Sequence, residues 1–293
     1  MSDTRLNRAQ DFVWRNARLL ERQLFACYFT GGPKEPVLAA LRAYRNADGG
    51  FGHGLEPDKR CPSSQPVDVE FALGLLDRID AFDDPMVNQA CDFLTAITTP
   101  EGGVPFATPD VTRYPRAPWW EVPQDPPASI NPTGRIAGLL LKHGVDHPWL
   151  ARAVPYCWTA IEASDTDQYH DVIEMVAFLE HAPDRLRAER ELRRIVTRVV
   201  GRPGVIALDP GAEGYVKKPL DWAPAPHGTF SPIFGDDVIA THLAALAARQ
   251  QPDGGWPINW EPISQGVTLE WRGVVTIDAL RTLQAYGMER DAR

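Results

Sequence analysis

The amino-acid sequence predicts an all-α fold, an α/α toroid in which about five to six helical hairpins form one domain over residues 1–293. Two observations predict it. Apolar residues recur at three- and four-residue spacing in segment after segment, which is typical of amphipathic helices, and no alternating pattern indicates a sheet. A glycine-rich loop also returns with a period of about fifty residues, as expected of a helical repeat.

The repeated loop has an acidic residue, two glycines, an apolar residue, a short irregular stretch and a proline. Three copies read NADGGFGHGLEPD (46–58), TPEGGVPFATPD (99–110) and QPDGGWPINWEP (251–262), and RPGVIALDP (202–210) is a degenerate fourth. Gly103 and Gly204 are two periods apart, so one repeat near residue 153 lacks the loop. The tight turn at 162–167 takes its place.

The helices follow from this register. A long N-terminal helix is predicted over 6–28, ended by Gly31-Gly32-Pro33. Two proline-rich segments, 107–128 and 210–235, fit no helix, and the second replaces an inner helix. Loops of this length are often functional, and we expect both segments to cover a central cavity. Outer helices are predicted at 36–44, 85–97, 149–161, 186–200 and 236–249, and inner helices at 67–79, 132–143, 168–180 and 268–286.

Composition excludes several classes of protein. The net charge of −9 argues against a nucleic-acid partner, which would need a basic face. The basic run 185–202 is interpreted as the solvated face of a helix. No run of about 18 apolar residues is present, so no membrane span is predicted. The polar N-terminal segment is unlike a signal peptide, and the four cysteines lie far apart without a CxxC pair. A cytoplasmic location is predicted, and the oligomeric state is left open.

The pattern of helix, DGGF or DGGW loop, and helix resembles the terpenoid cyclase and protein prenyltransferase superfamily. Gln250 to Trp256, QQPDGGW, resembles the end of a QW repeat. Residues 44–51, YRNADGGF, resemble a prenyltransferase repeat loop, and 67–70, VDVE, stand where those proteins begin an inner helix. The chain also resembles short bacterial proteins described as prenyltransferase-like. The resemblance implies the toroid over most of the chain and an isoprenoid or other apolar substrate.

In class II cyclases of that superfamily, the central aspartate of a DxDD motif protonates the substrate. The nearest match is 165–168, DTDQ, whose last acid is a glutamine. The resemblance implies that Asp167 is the proton donor, supported by Asp165 and His170. The alternative is that Ser164 or Asp165 caps a helix, with Asp167 in its first turn and an exposed His170.

The repeat register itself predicts a polar ring where the inner helices begin. In a barrel these helix ends gather at one mouth, where side chains of separate repeats face one another. These side chains either bind substrate or serve only as helix caps. Glu56-Pro57-Asp58 is either a turn or a second acidic pair at that mouth. The ring consists of Gln65, Asp68, Asn131, Thr133, Asp167, His170 and Glu270.

Tryptophans concentrate in the irregular segments, where they suit an apolar or cationic ligand or pack between hairpins. Trp256 is assigned to packing, whereas Trp119, Trp120, Trp222 and Trp260 are candidate ligand contacts.

No cofactor or metal is predicted. His53, Asp58, Cys61 and Asp68 offer ligand types without a dependable zinc spacing. The first hypothesis is a terpenoid-cyclase-like enzyme that starts acid-initiated chemistry on an apolar small molecule. The alternatives are a non-catalytic toroid that binds a hydrophobic molecule or peptide, and a carbohydrate-active α/α barrel that uses two carboxylates and stacking tryptophans.

Overall fold

The computed structural model describes residues 4–288. Over that range the chain forms α-helices and short 3₁₀ helices, with no β-strand, which confirms the all-α prediction. The chain divides into two compact units, Arg42–Gly201 and a second made from Met1–Leu41 together with Arg202–Arg293. The α-helices are α1 (Arg5–Asn16), α2 (Leu19–Phe29), α3 (Glu35–Arg42), α4 (Pro66–Arg78), α5 (Met86–Ile97), α6 (Ile130–Lys142), α7 (Leu150–Ala163), α8 (Tyr169–Leu179), α9 (Arg185–Gly201), α10 (Pro219–Trp222), α11 (Asp236–Ala248) and α12 (Gln265–Ala285).

The contiguous unit contains α4 to α9. The predicted inner helices α4, α6 and α8 pack side by side, and α5, α7 and α9 flank them. Gly134 and Gly138 allow α6 and α8 to approach closely, because a Cβ at either position would clash with a backbone carbonyl of α8. The glycines are four residues apart and so lie on one face of α6. This close approach brings side chains of α6 and α8 together.

The other unit joins the two ends of the chain. α12 packs on α1 and α2, and α11 packs on α12. The prediction of one N-terminal helix over 6–28 was wrong. Ala17 and Arg18 are extended and separate α1 from α2. The break lets Ala17 pack on α12 at Gly273, where a Cβ would lie 2.7 Å from that of Ala17.

The three glycine loops share one geometry. The first glycine of each pair, Gly49, Gly102 and Gly254, has a positive φ and lies against a backbone carbonyl of a neighbouring helix. Its amide donates to the residue three positions earlier, and that residue donates to the carbonyl of the second glycine. Only glycine fits this combination of conformation and contact. The helices contacted are α5 at Gln89, α7 at Arg152 and α1 at Arg8.

The two proline-rich segments contain only short helices. Residues 107–128 include 3₁₀ helices at Pro109–Arg113 and Pro118–Trp120. Residues 210–235 include α10 and a 3₁₀ helix at Ser231–Ile233. The second segment therefore holds no long helix where a repeat would place one, as predicted.

Candidate functional site

A buried lysine organises the first charged cluster, in the contiguous unit. Lys59 follows the first glycine loop and has no exposed surface. Its Nζ donates to Asp68 Oδ1 at 2.9 Å and to Glu56 Oε2 at 3.2 Å. It also lies 4.4 Å from the centre of the Trp120 ring. We call Glu56, Lys59, Asp68 and Trp120 the lysine cluster.

The lysine cluster fixes the loop to the start of α4. Asp68 Oδ1 also accepts from the Glu56 amide at 2.8 Å, and Glu56 Oε2 accepts from the Asp58 amide at 3.1 Å. Burial raises the pKa of Glu56 to about 7, against the lowering effect of Lys59. The pKa of Lys59 is raised, because Asp68 and Glu56 outweigh the desolvation that opposes them. The ammonium is therefore a permanent buried charge.

A second cluster joins helices α4, α6 and α8. Glu70 Oε1 on α4 lies 3.6 Å from Arg135 Nε on α6. The backbone amide of Arg135 donates to Glu174 Oε2 on α8 at 3.0 Å. The backbone of Asn131 is not helical, so Arg135 lies near the start of the regular part of α6. Glu174 therefore binds the beginning of α6 from a neighbouring helix. We call Glu70, Arg135 and Glu174 the arginine cluster.

The two carboxyl groups of the arginine cluster differ in access. The side chain of Glu70 is 18% exposed and that of Arg135 is 31% exposed, whereas Glu174 is buried. Burial raises the pKa of Glu70 although Arg135, Arg78 and Lys59 lower it. Burial raises the pKa of Glu174 well above its usual range, and the charge of Glu70 raises it further. Glu70 is the acid in this cluster that a solvent-borne molecule can reach.

The DTDQ segment does not form a buried acid site. Asp165 and His170 are exposed, and Asp167 is half-buried. α8 begins at Tyr169, so Asp167 precedes the helix and does not share a helical face with His170. The alternative of a helix cap at Ser164 or Asp165 was wrong, because Gln168 is the N-cap residue without a side-chain bond, whereas the exposed His170 agrees with it. The Ser164 hydroxyl instead accepts from the Thr166 amide. The assignment of Asp167, Asp165 and His170 as catalytic stays a prediction.

The predicted polar ring is mostly used for internal contacts. Asp68 is bound to Lys59. Gln65 bonds the backbone amide and hydroxyl of Thr108, and the Thr133 hydroxyl accepts from the Val104 amide at 3.0 Å. Asn131 is half-buried just before the regular part of α6. These side chains tie inner helices to loops, and ligand binding by Asp68 and Asn131 stays a prediction.

The candidate tryptophans have different surroundings. Trp119 is 47% exposed. Trp120 is buried and stacks on Phe106 at 4.7 Å, so it forms a wall behind Lys59.

In the discontinuous unit, Trp222 is buried against Phe230, and Trp260 is half-buried against Trp271. Trp256 is buried, in agreement with its assignment to packing. Glu270 lies in the second turn of α12 and is half-buried. Their contact with a ligand stays a prediction.

Sequence reasoning missed Lys59, Arg135 and Glu174 altogether, and it quoted Glu70 only as part of a helix start. One signal was present. Arg135 lies between two glycines in the run GRIAG (134–138), which marks a close helix contact with a charged residue inside it.

Among residues 4–288, no group of three or more His, Cys, Asp and Glu side chains is placed to hold a metal ion. No helix in the same range is both long and apolar enough to cross a bilayer.

No protein-family profile and no curated protein matches the chain. A crystal structure of a protein from Actinoplanes is similar, with a TM-score of 0.61 and 16% identity over 96% of this chain and 98% of that chain. At this identity the likeness shows a shared fold over nearly the whole chain, and nothing about activity.

Proposed function

We propose that the chain is an enzyme that starts its reaction by proton transfer from Glu70 to a small, largely apolar molecule. One observation carries the proposal. Glu70 keeps part of its side chain exposed, yet burial raises the pKa of its carboxyl group despite three nearby cations. A carboxyl group of this kind stays protonated to higher pH and can act as a general acid.

The surrounding charges suit the step after transfer. When Glu70 gives its proton to the substrate, the carboxylate that forms lies near the Arg135 guanidinium and within electrostatic reach of Lys59. Fixed positive charge stabilises a carboxylate in a site of low dielectric constant. Glu70 then regains a proton from the substrate cation or from solvent, which completes the cycle. Arg135 is a positioning residue here.

The same proposal includes the terpenoid-cyclase-like toroid. Support comes from the loop 251–256, which contacts α1 at Arg8 as the loops 46–51 and 99–104 contact α5 and α7. In a ring of hairpins the last repeat is expected to meet the first helix in this way. The resemblance to the superfamily implies a reaction that starts with protonation of the substrate. The surroundings of the two side chains favour Glu70 over Asp167 as the proton donor.

The test is solvent deuterium incorporation. The purified protein is incubated in D₂O with small-molecule extracts and with isoprenoid alcohols, and mass spectrometry follows compounds that gain deuterium. Protonation of a substrate carbon by Glu70 is expected to add one deuteron in the wild type, and Glu70→Gln should lose at least about a hundredfold in rate. Glu213→Gln, at an exposed position, is the matched control.

Asp167→Asn separates the two candidate donors. We expect it to retain most of the turnover. Full activity in Glu70→Gln would overturn the proposal, and loss of activity only in Asp167→Asn would restore the donor implied by the resemblance. Ligand binding by the wild type without deuterium incorporation or turnover would instead support the non-catalytic alternative.

A further inference from the structure

An aromatic cluster lies at the surface of the discontinuous unit. The ring centres of Tyr215 and Trp260 are 6.2 Å apart and the rings meet at 89°, and those of Trp260 and Trp271 are 5.2 Å apart and meet at 83°. Two rings that meet at a right angle have a corner between their faces, where one group can contact both. Tyr215 is 53% exposed, and both tryptophans are half-buried. We call Tyr215, Trp260 and Trp271 the aromatic cluster.

The segments that carry these rings are tied to one another. Asn259 Nδ2 donates to the Gly214 carbonyl at 3.1 Å. This bond joins the residue before Trp260 to the residue before Tyr215, while Trp271 is held within α12. Two loops and one helix therefore build the aromatic cluster.

A cation already lies on one ring of the cluster. Lys217 Nζ is 4.2 Å from the centre of the Tyr215 ring, and it donates to the Tyr215 hydroxyl at 3.2 Å. The negative face of an aromatic ring attracts an ammonium at this distance. The Lys217 ammonium thus marks a position at the surface of the protein where a positive charge fits against the aromatic cluster.

From this geometry we infer that the aromatic cluster binds a small molecule with a quaternary ammonium group, which displaces the Lys217 ammonium from Tyr215. A primary ammonium is strongly hydrated, and it loses hydrogen bonds to water when it lies on a ring. The methyl groups of a quaternary ammonium make no such bonds, so they add apolar contact with the aromatic rings at little cost. The inference does not depend on the proposed function.

The charges near the cluster also favour a cation. Glu213 comes two residues before Tyr215, and Glu261 directly follows Trp260, and both acids are exposed. The whole chain carries a net charge of −9. Negative charge of this kind raises the local concentration of cations and repels anions. The Lys217 ammonium opposes this attraction, but it moves away when the ligand binds.

Three related probes test the inference. Ligand-observed NMR titrations would compare choline with 3,3-dimethylbutan-1-ol, which has the same shape without the charge, and with ethanolamine, which has the charge without the methyl groups. We expect choline to bind the wild type most tightly. Equal or tighter binding of either other probe would overturn the inference, because shape alone or charge alone would then explain the binding.

Substitutions should change the affinity in both directions. Lys217→Ala should strengthen choline binding roughly three- to tenfold, because no ammonium then competes for the Tyr215 ring. Loss of structure cannot imitate such a gain. Lys218→Ala is the control, since it removes the same charge at the next residue, where the ammonium donates to the Pro210 carbonyl at 2.7 Å. Tyr215→Leu should weaken choline binding roughly three- to thirtyfold, whereas Tyr114→Leu, at another exposed tyrosine, should not.

The double variant Lys217→Ala/Tyr215→Leu tests whether both residues act through one ring. If they do, Lys217→Ala should give no gain in the Tyr215→Leu background. Circular dichroism would check that Tyr215→Leu is folded, and the gain in Lys217→Ala tests the inference even if it is not. Unchanged or weaker binding in Lys217→Ala, an equal gain in Lys218→Ala, or full affinity in a folded Tyr215→Leu variant would overturn the inference.

Discussion

At the scale of single residues, Lys59 is a buried and paired charge in the contiguous unit. Its ammonium is buried between two carboxylates and an indole ring. Removing one partner of a buried charge pair leaves the other charges without compensation. We expect Lys59→Met to lower the free energy of unfolding by about 3–5 kcal/mol, measured by urea titration. Lys142 is 41% exposed and forms an ion pair with Asp77. Lys142→Met should therefore lower the free energy of unfolding by less than about 1 kcal/mol. Equal losses in both variants would contradict the structural role of Lys59.

Glu56 gives the molecule a pH-dependent stability. Its pKa is about 7 in the folded chain, above the ordinary glutamate value of 4.5, so the folded state binds the proton more tightly than the unfolded state does. The resulting stabilisation is complete below about pH 4.5 and is lost as the pH rises to about 7. We expect Glu56→Gln to reduce the change in the free energy of unfolding between pH 4.5 and pH 8 by up to about 3 kcal/mol. Measuring the free energy of unfolding across that pH range checks this.

Exposed Glu213 provides the control for that measurement. Glu213→Gln should leave the pH slope unchanged. The raised pKa values of Glu70, Glu174 and Asp171 act in the same direction, so Glu56→Gln should flatten the slope without abolishing it. An unchanged slope in Glu56→Gln would show that this carboxyl group is not the titrating one.

At the scale of elements, α6 and α8 depend on backbone contact. Glycine inside a helix normally costs up to about 1 kcal/mol relative to alanine, so Gly138→Ala would stabilise an isolated α6. In the folded chain a Cβ at Gly138 would clash with the Ala177 carbonyl. We therefore expect Gly138→Ala to destabilise the protein by at least about 2 kcal/mol in thermal or urea unfolding. Gly266 lies in the first turn of α12, where a Cβ would make one ordinary contact, 3.8 Å from Ser264 Oγ, so Gly266→Ala should be neutral or stabilising. A stabilised Gly138→Ala variant would contradict the close contact.

The glycine loops provide a second test of the same kind. Gly49 and Gly204 both have positive φ, but only Gly49 lies against another backbone, at Gln89. Alanine at either position carries the cost of a left-handed conformation, about 1–2 kcal/mol. Gly49→Ala should cost at least about 2 kcal/mol more than Gly204→Ala in urea titration, because the chain must also move away from α5. Equal costs would mean that the glycine serves only the turn.

The helices could be predicted from the sequence because periodicity and helix-entry signals are local. The inner helix at Pro66–Arg78 and the outer helix at Met86–Ile97 agree with their predicted bounds within one residue. The break at Ala17 was missed because it serves a contact with Gly273, which no local pattern reveals.

The charged clusters were missed for the same reason. Lys59 is a polar residue in a loop, and only the folded chain shows that it is buried with Asp68. Arg135 and Glu174 are far apart along the chain, and the contact of α6 with α8 brings them together. The DTDQ segment was predicted to be an acid site from its composition. Whether an acid is buried depends on the packing of the folded chain, which composition does not reveal.

At the scale of the whole molecule, the two chain ends belong to one unit while the middle of the chain forms another. The Gln250 side chain shows how the ends are joined. Its amide nitrogen donates to the Arg5 carbonyl at 2.9 Å, and its carbonyl oxygen accepts from Arg8 at 2.7 Å. These bonds connect α1 to the last glycine loop across more than two hundred residues of sequence. The discontinuous unit therefore includes direct contacts between α1 and the last glycine loop.

Phe12 tests this joint. It is buried in α1, lies 4.4 Å below the Arg272 guanidinium of α12, and fills the space beside Gly255. We expect Phe12→Ala to cost about 3–5 kcal/mol. In hydrogen–deuterium exchange it should raise amide exchange in α1 and also in residues 250–285, because both belong to one cooperative unit. Residues 66–179, in the contiguous unit, should change much less. Asp11→Ala, at an exposed position on the same helix, should raise exchange nowhere. Faster exchange in α1 alone would show that the first helix is a peripheral attachment rather than part of the joint between the chain ends.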